Sequence, residues 1–311
     1  MTQLLEIKSL LIEIYKKYDK LINPIGKFII SLIIITKLNT FFGYSPIFAK
    51  LGVNMAIAAL AAFLPSSWFL MLLIVVVSAQ LFSVSIEATI IIFVAMLVVY
   101  FLFARLQPKH AYLIMLVPLF YSLKIVYVLP IFAGLFLGIS SIVPLAVGVA
   151  VYRFASYLPG ILDNNIQGTT LFESPDIMIN MYKYLSNVLL NDKVLVLTIA
   201  VFSITVIIMF FVKKLEIDYI WYITIGVGVV TMILTFIIGN VALNANIGIG
   251  GVFVGTIIGG LIVAGFQFFK FSLDYKRAEK LQFEDDDYYY YVRTIPKVKA
   301  TMPQKEVKKI K

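Results

Sequence analysis

The chain has no cysteine in its 311 residues and a single histidine, His110. The first absence excludes disulfides, thiolate metal ligands and cysteine nucleophiles. The second leaves no His-based metal site, since one imidazole in a polar connector is one ligand where such sites need several. Charge is scarce as well: 14% of residues are Asp, Glu, Lys or Arg, against about 25% in a soluble domain. No HExxH, P-loop or GxSxG pattern occurs. No catalytic residue is therefore legible, no metal or cofactor is expected, and the chain does not read as an enzyme. The one dense carboxylate run, Glu284-Asp285-Asp286-Asp287, lacks the spaced ligands and the glycine of an EF-hand loop.

What is abundant is apolar side chain, 61% of the residues. A soluble fold of this length keeps too much surface in water to hide that much. The apolar residues also fall in blocks of bilayer length: 194–212 carries no charge, and neither does 219–269. A hydrocarbon core about 30 Å thick takes about 20 residues per helix, so the longer run is two spans and a turn. The expected fold class is all-α, a polytopic α-helical membrane bundle of about eight transmembrane helices plus a broken or re-entrant segment.

The pattern divides the chain as follows. Residues 1–25 read as a cytoplasmic amphipathic helix lying at the interface, with Leu4, Ile7, Leu11, Ile14, Tyr15 and Tyr18 at helical spacing among lysines, and with Pro24 ending it. The start lacks the apolar core and small-residue cleavage site of a signal peptide. A first membrane bundle, 26–151, has spans expected at 26–43, 46–64, 67–85 and 87–104, then broken helices over 111–151. An extracytoplasmic polar segment, 152–192, follows, with a short amphipathic patch at 177–190; three further spans (193–212, 217–238 and 247–269) lie within 193–269, and a basic, tyrosine-rich cytoplasmic tail occupies 270–311. Lys213, Lys214 and the eleven Lys and Arg residues of 270–311 place both regions inside. Nine crossings would put the two basic ends on opposite faces. One apolar segment should therefore not cross, and 111–130, where the charge-free stretch before Lys124 is too short, is the candidate. The alternative makes 26–43 an in-plane helix. The formal net charge of +9 sits mainly at the ends and in connectors, as this topology requires, rather than as a nucleic-acid-binding face.

Irregular backbone at membrane depth survives only where protein buries it or a watery cavity borders it. The interruptions Pro118, Lys124, Pro130, Gly134, Gly138 and Pro144 therefore mark a candidate substrate path. Lys124 has two readings, a re-entrant tip at headgroup level or a cation facing an anion-attracting cavity. Glu87, at a turn, reads as interfacial. Gly251, Gly255 and Gly259 line one helix face and suit close helix packing, within the bundle or in a homo-oligomer. Asn240, Asn244 and Asn246 read as turn residues before that helix. In the tail, Tyr288, Tyr289, Tyr290 and Tyr291 begin an expected exposed strand. That strand is a candidate partner-binding element, pairing with cytoplasmic loops or another chain.

The ending LDYKRAEKLQFEDDDYYYYVRTIPK, residues 273–297, resembles that of an uncharacterised family of multi-pass membrane proteins from clostridia and related Gram-positive bacteria, some of which carry the label ABC transporter permease. The resemblance implies a bacterial plasma membrane and supplies no binding residues. The expected role is a permease-like transport subunit of unknown substrate, working with the bilayer and with a separate ATPase subunit or an ion gradient. The alternative is a non-transporting scaffold or signalling subunit of an envelope complex, acting through its tail.

Overall fold

A computed structural model of the chain describes residues 2–43, 45–83, 86–108, 110–165, 183, 187, 190–270 and 279–296. Helix α1 runs from Thr2 to Phe42. Its break falls at Tyr18 (φ −118°, ψ 22°), not at Pro24, which lies inside the helix. A proline removes one backbone hydrogen bond, and the side chains around this bend supply others. Tyr15 donates to Asn23 Oδ1 at 3.0 Å, and Asn23 Nδ2 donates to Asp19. The apolar stretch of α1 accordingly begins earlier than the expected residue 26, at Lys17, and runs to Asn39.

Short helices follow: α2 (Leu51–Phe63), α3 (Ser66–Phe82) and α4 (Ile86–Val99), whose end widens into a π-helical turn over Tyr100–Ala104. Then come α5 (Ala111–Ser122), α6 (Val128–Phe136), a 3-10 turn (Ile139–Ser141) and α7 (Ile142–Asn165). The second half holds α8 (Lys193–Val212), α9 (Ile220–Leu243) and α10 (Ile249–Lys270). Among the described residues, five helices are long and apolar enough to cross a membrane: Lys17–Asn39, Ile139–Tyr157, Lys193–Val212, Ile220–Leu243 and Ile249–Lys270. The apolar helices Leu51–Phe63, Ser66–Phe82, Thr89–Ala104 and Ala111–Ser122 are shorter than the eight-span expectation requires.

Two apolar cores share α5. Ile114, Met115 and Leu119 pack with Ile34, Ala58, Leu73 and Ile74 of the first half. Leu113 and Val117 pack into the second core with Ile131, Phe202, Val206 and Met232. Lys8 Nζ donates to the Phe268 carbonyl at 3.0 Å, setting the start of α1 beside the end of α10.

The tail contains a hairpin, β1 (Glu279–Glu284) and β2 (Tyr289–Thr294), paired antiparallel with Gln282 opposite Tyr291. The strand expected at 288–292 is thus present, starting at Tyr289, and one of its edges pairs with the tail's own β1. Asp285 fixes the turn by accepting from the Asp287 and Tyr288 N–H groups and from the Tyr290 hydroxyl. Tyr290 is the first cause, and these N–H donors the next, of a carboxyl held below its ordinary value. Much of the amphipathic patch expected over 177–190, together with Lys276, Arg277 and residues 297–311, lies outside the described residues.

Candidate functional site

The broken region folds as a pair of half-length legs. At 1.5 Å per residue, α5 and α6, with 12 and 9 residues, reach about 18 Å and about 14 Å, short of a span of about 30 Å. Both ends of the pair lie together, because His110 Nε2 is 3.2 Å from Ser140 Oγ. From there α5 and α7 run side by side in the same direction. Gly148 sits against Val117, and Tyr121 stacks on Tyr152 with ring centroids 4.0 Å apart. The broken pair covers 111–136, with α6 as its second leg, six residues beyond the 111–130 expected not to cross.

Lys124 occupies the turn between the legs in the left-handed region (φ 60°), and its side chain is exposed. Pro118 lies in α5, and Pro130 and Gly134 are buried in α6. A Cβ on Gly134 would come within 2.9 Å of Met209 Cβ, so α6 and α8 touch almost backbone to backbone. Gly138, at φ 84°, faces the Phe210 ring, and Pro144 is buried in α7. The six path residues thus spread over a leg, a turn, a second leg, the connector after it and the next helix, and one of them, Pro118, lines a cavity.

That cavity, about 90 Å³, lies between α1, α3, α4, α5 and α7. Its wall is aliphatic, with Ile34, Val77, Met115 and Leu119 typical, and its polar side chains are Lys37 and Tyr152. Lys37, rather than Lys124, is the cation at the wall. In the sequence Lys37 stands near the end of the expected span 26–43, a position that says nothing of a cavity.

Two polar clusters close the same end of the bundle. Between α1, α2 and α3, Asn39 Nδ2 donates to the Phe48 carbonyl at 2.7 Å and to Asn54 Oδ1 at 3.1 Å, while Gln80 Nε2 donates to Asn39 Oδ1 at 2.6 Å. Between α7 and α8, Arg153 Nε meets Asp192 Oδ2 at 2.6 Å, and the Tyr157 hydroxyl donates to the same oxygen at 3.0 Å. Asp192 also caps α8 by accepting from the Val194 and Leu195 N–H groups. Burial alone pushes its carboxyl up; Arg153, the Leu195 N–H and Tyr157 outweigh that and hold it below the ordinary range. Both clusters escaped sequence reading. The available signal was an amide or arginine standing alone in an apolar run, Gln80 and Arg153 above all.

The opposite end is basic. Lys213 Nζ donates to the Leu135 carbonyl at 2.9 Å, at the last turn of α6, where a cation suits the helix dipole. Burial first, then the nearby Lys270 and Lys214, lower its ammonium from the ordinary value. Lys214 lies 4.2 Å over the Phe210 ring and Lys270 4.4 Å over that of Phe136.

Of the glycine face, Gly255 and Gly259 receive the start of α6: a Cβ on Gly255 would be 2.5 Å from the Tyr127 ring, and one on Gly259 would be 3.1 Å from the Val128 nitrogen. Gly251, one turn earlier, faces open space. Asn240 carries the turn before α10 by accepting from the Ile247 N–H at 2.9 Å, and Asn244 and Asn246 take positive φ there. The tyrosines of the tail are exposed, Tyr291 most at 79%. Among the described residues, no three histidine or carboxylate side chains gather as a metal site. Compared with protein-family models, with curated proteins and with solved structures, the chain matches none of them.

Proposed function

We propose that the chain is a multi-pass plasma-membrane protein of the bacterial family its tail resembles, serving as a permease-like transport subunit. Eight helices (α1–α4 and α7–α10) cross, the short α2 to α4 together with their connectors, and the α5–α6 pair, set apart by its two ends lying together rather than by its length, enters and leaves on one side. Both termini are then cytoplasmic, in keeping with the contact between Lys8 and the Phe268 carbonyl. The observation that carries the transport reading is the cavity inside the first core, walled by a leg of the broken pair. Transport against a gradient would draw on a separate ATPase subunit or an ion gradient.

A path must be reachable from both faces in turn. The cysteine-free background allows Met115→Cys and Ala155→Cys, both at the cavity wall, to be probed with a membrane-impermeant thiol reagent. The expected result is labelling of one or both positions in intact cells and again in inverted vesicles. Protection of both positions in both preparations refutes a path.

The second reading, a scaffold working through its tail, draws on the hairpin. Leu281, Phe283, Tyr290 and Val292 share one face of it in exposed positions. Two strands alone are marginal in water, so this element gains order from a partner. Rapid protease cleavage between 284 and 300 in the intact, purified assembly would remove that reading.

A further inference from the structure

We infer that the cavity receives the headgroup-proximal segment of one acyl chain of an anionic lipid, with the headgroup at its Lys37 end. This deepens the reading of the same cavity as a substrate path and rests on it for any consequence in transport: the lipid fills the closed path, and water reaches positions 115 and 155 when the path opens and the lipid leaves.

The wall decides the chain. Among the described residues its lining side chains include no carboxylate and no amide, and two carry a polar tip, Lys37 and Tyr152. Water needs two to four polar partners to be held in such a space, so a hydrocarbon is the better occupant. The depth of the cavity decides the orientation. The bond from Gln80 to Asn39 sets the end of α3 level with the end of the apolar stretch of α1. Lys37, Val77 and Ala155 therefore lie near that end of the bundle, while Leu70 lies seven residues further in along α3, about 10 Å by helical rise. The slot has its cation at the boundary and aliphatic wall below it, the order of an anionic amphiphile standing in one leaflet. The volume decides how much enters, since about 90 Å³ holds a short run of methylene groups and the rest of the chain lies in the bilayer outside the slot. A lysine stem lies along apolar wall while its ammonium stays at headgroup depth, where a phosphate diester is the charge complementary to it.

The full-length protein in nanodiscs supplies the test. Phosphatidylglycerol and phosphatidylcholine carrying the same photoreactive diazirine acyl chain are incorporated separately, irradiated, and the labelled peptides mapped. The expected result is labelling of the Leu70–Val77, Ile114–Leu119 and Val151–Ala155 segments, about five-fold heavier with the anionic lipid, the factor for one lysine beside an anionic headgroup. Lys37→Gln should bring the two probes level without lowering the melting temperature. Leu119→Trp, which fills the slot, should reduce labelling of these segments by both. Equal labelling by the two lipids in the unmodified protein overturns the inference and leaves a groove for bulk lipid. So does discrimination that survives Lys37→Gln, a variant that does not depend on tolerance of the larger ring. Selective labelling alongside cysteines at 115 and 155 that are never reached from both sides keeps the lipid site and ends the transport reading. Reachable cysteines without selectivity do the reverse.

Discussion

Helices α2 and α3, of 13 and 17 residues, meet α1 through amides, whereas α8, α9 and α10, of 20, 24 and 22 residues, pack through glycines. In lipid, apolar faces gain little by meeting each other, so helices associate through small residues that let backbones close up or through hydrogen bonds between side chains. The second half uses small residues. Gly228 receives Met209, Gly239 receives Leu197, and Gly260 receives Val229. The first half uses Asn39, Asn54 and Gln80. Glycine contacts bring whole helix faces together and fill space between them. Amide contacts fix one level of a helix pair and leave its other levels to side-chain shape. The cavity lies on the amide-held side, with α1, α3 and α4 in its wall, while the chain's glycine-packed helices α8 to α10 contribute nothing to it.

The difference is broken most severely at the join between α7 and α8, the pair formed by Arg153 and Asp192. Arg153→Met leaves an almost fully buried carboxylate without its cation, and the expected loss of stability is about 3 kcal/mol or more. Thermal melting in mild detergent measures it. The same pair sets an acid limit. Because the folded-state carboxyl lies below its ordinary value, its stabilisation is complete above pH of about 4 and is lost as pH falls through the lower folded value. Melting temperature should therefore hold from neutral pH down to that point and then drop, and Arg153→Met should shrink the drop. An equal drop in the variant would place the acid sensitivity elsewhere.

Packing density gives the next effect. A Cβ at Gly148 would meet Val117 Cβ at 2.7 Å and Ile114 Cα at 3.4 Å, while Gly265 has nothing within 4 Å. Gly148→Leu should cost about 1–3 kcal/mol by overpacking, and Gly265→Leu should leave melting unchanged. On the cavity side, Ala155→Leu should be tolerated better than Gly148→Leu, since it grows into space. Equal losses at 148 and 155 would mean that the cavity closes in solution.

How far the sequence alone reached follows from the same contrast. The helix Lys193–Val212 was legible to the residue because charges border a charge-free run of spanning length. The break between α5 and α6 was legible through Lys124, whereas Pro118, read as an interruption beside it, lies inside α5. The second leg was not, since α6 and α7 form one apolar stretch and Gly138, the residue that divides them, looks like any helix-packing glycine. Pro24 misled because a proline weakens a helix without ending it when nearby side chains bridge the bend. The clusters at Asn39 and Arg153 stayed hidden for a different reason. An amide in an apolar run announces a partner but not its address, and Gln80 lies 41 residues from Asn39, Arg153 39 from Asp192. Lys37 belongs with them, since only the arrangement of five helices makes it part of a wall.

Gln80 carries the smallest expected effect and the sharpest test of how the first half is held. Its side chain is wholly buried. Its Nε2 donates to Asn39, while its Oε1 has no hydrogen-bond partner among the described residues. A buried acceptor left unpaired costs about 1–3 kcal/mol, more than the net gain of about 1 kcal/mol from the one bond its amide makes. Gln80→Leu keeps much of the volume, removes the unpaired carbonyl and deprives Asn39 Oδ1 of one donor. These changes oppose each other, so stability should stay within about 1 kcal/mol of the unmodified protein. Gln80→Ala removes the same polar groups and leaves a void, so it should be worse by about 2 kcal/mol. Paired melting curves decide between the accounts. If Leu and Ala at position 80 destabilise equally, the amide itself holds α3 to α1, its carbonyl is satisfied by an ordered water, and hydrogen bonding rather than apolar fit keeps the short helices in place beside the cavity.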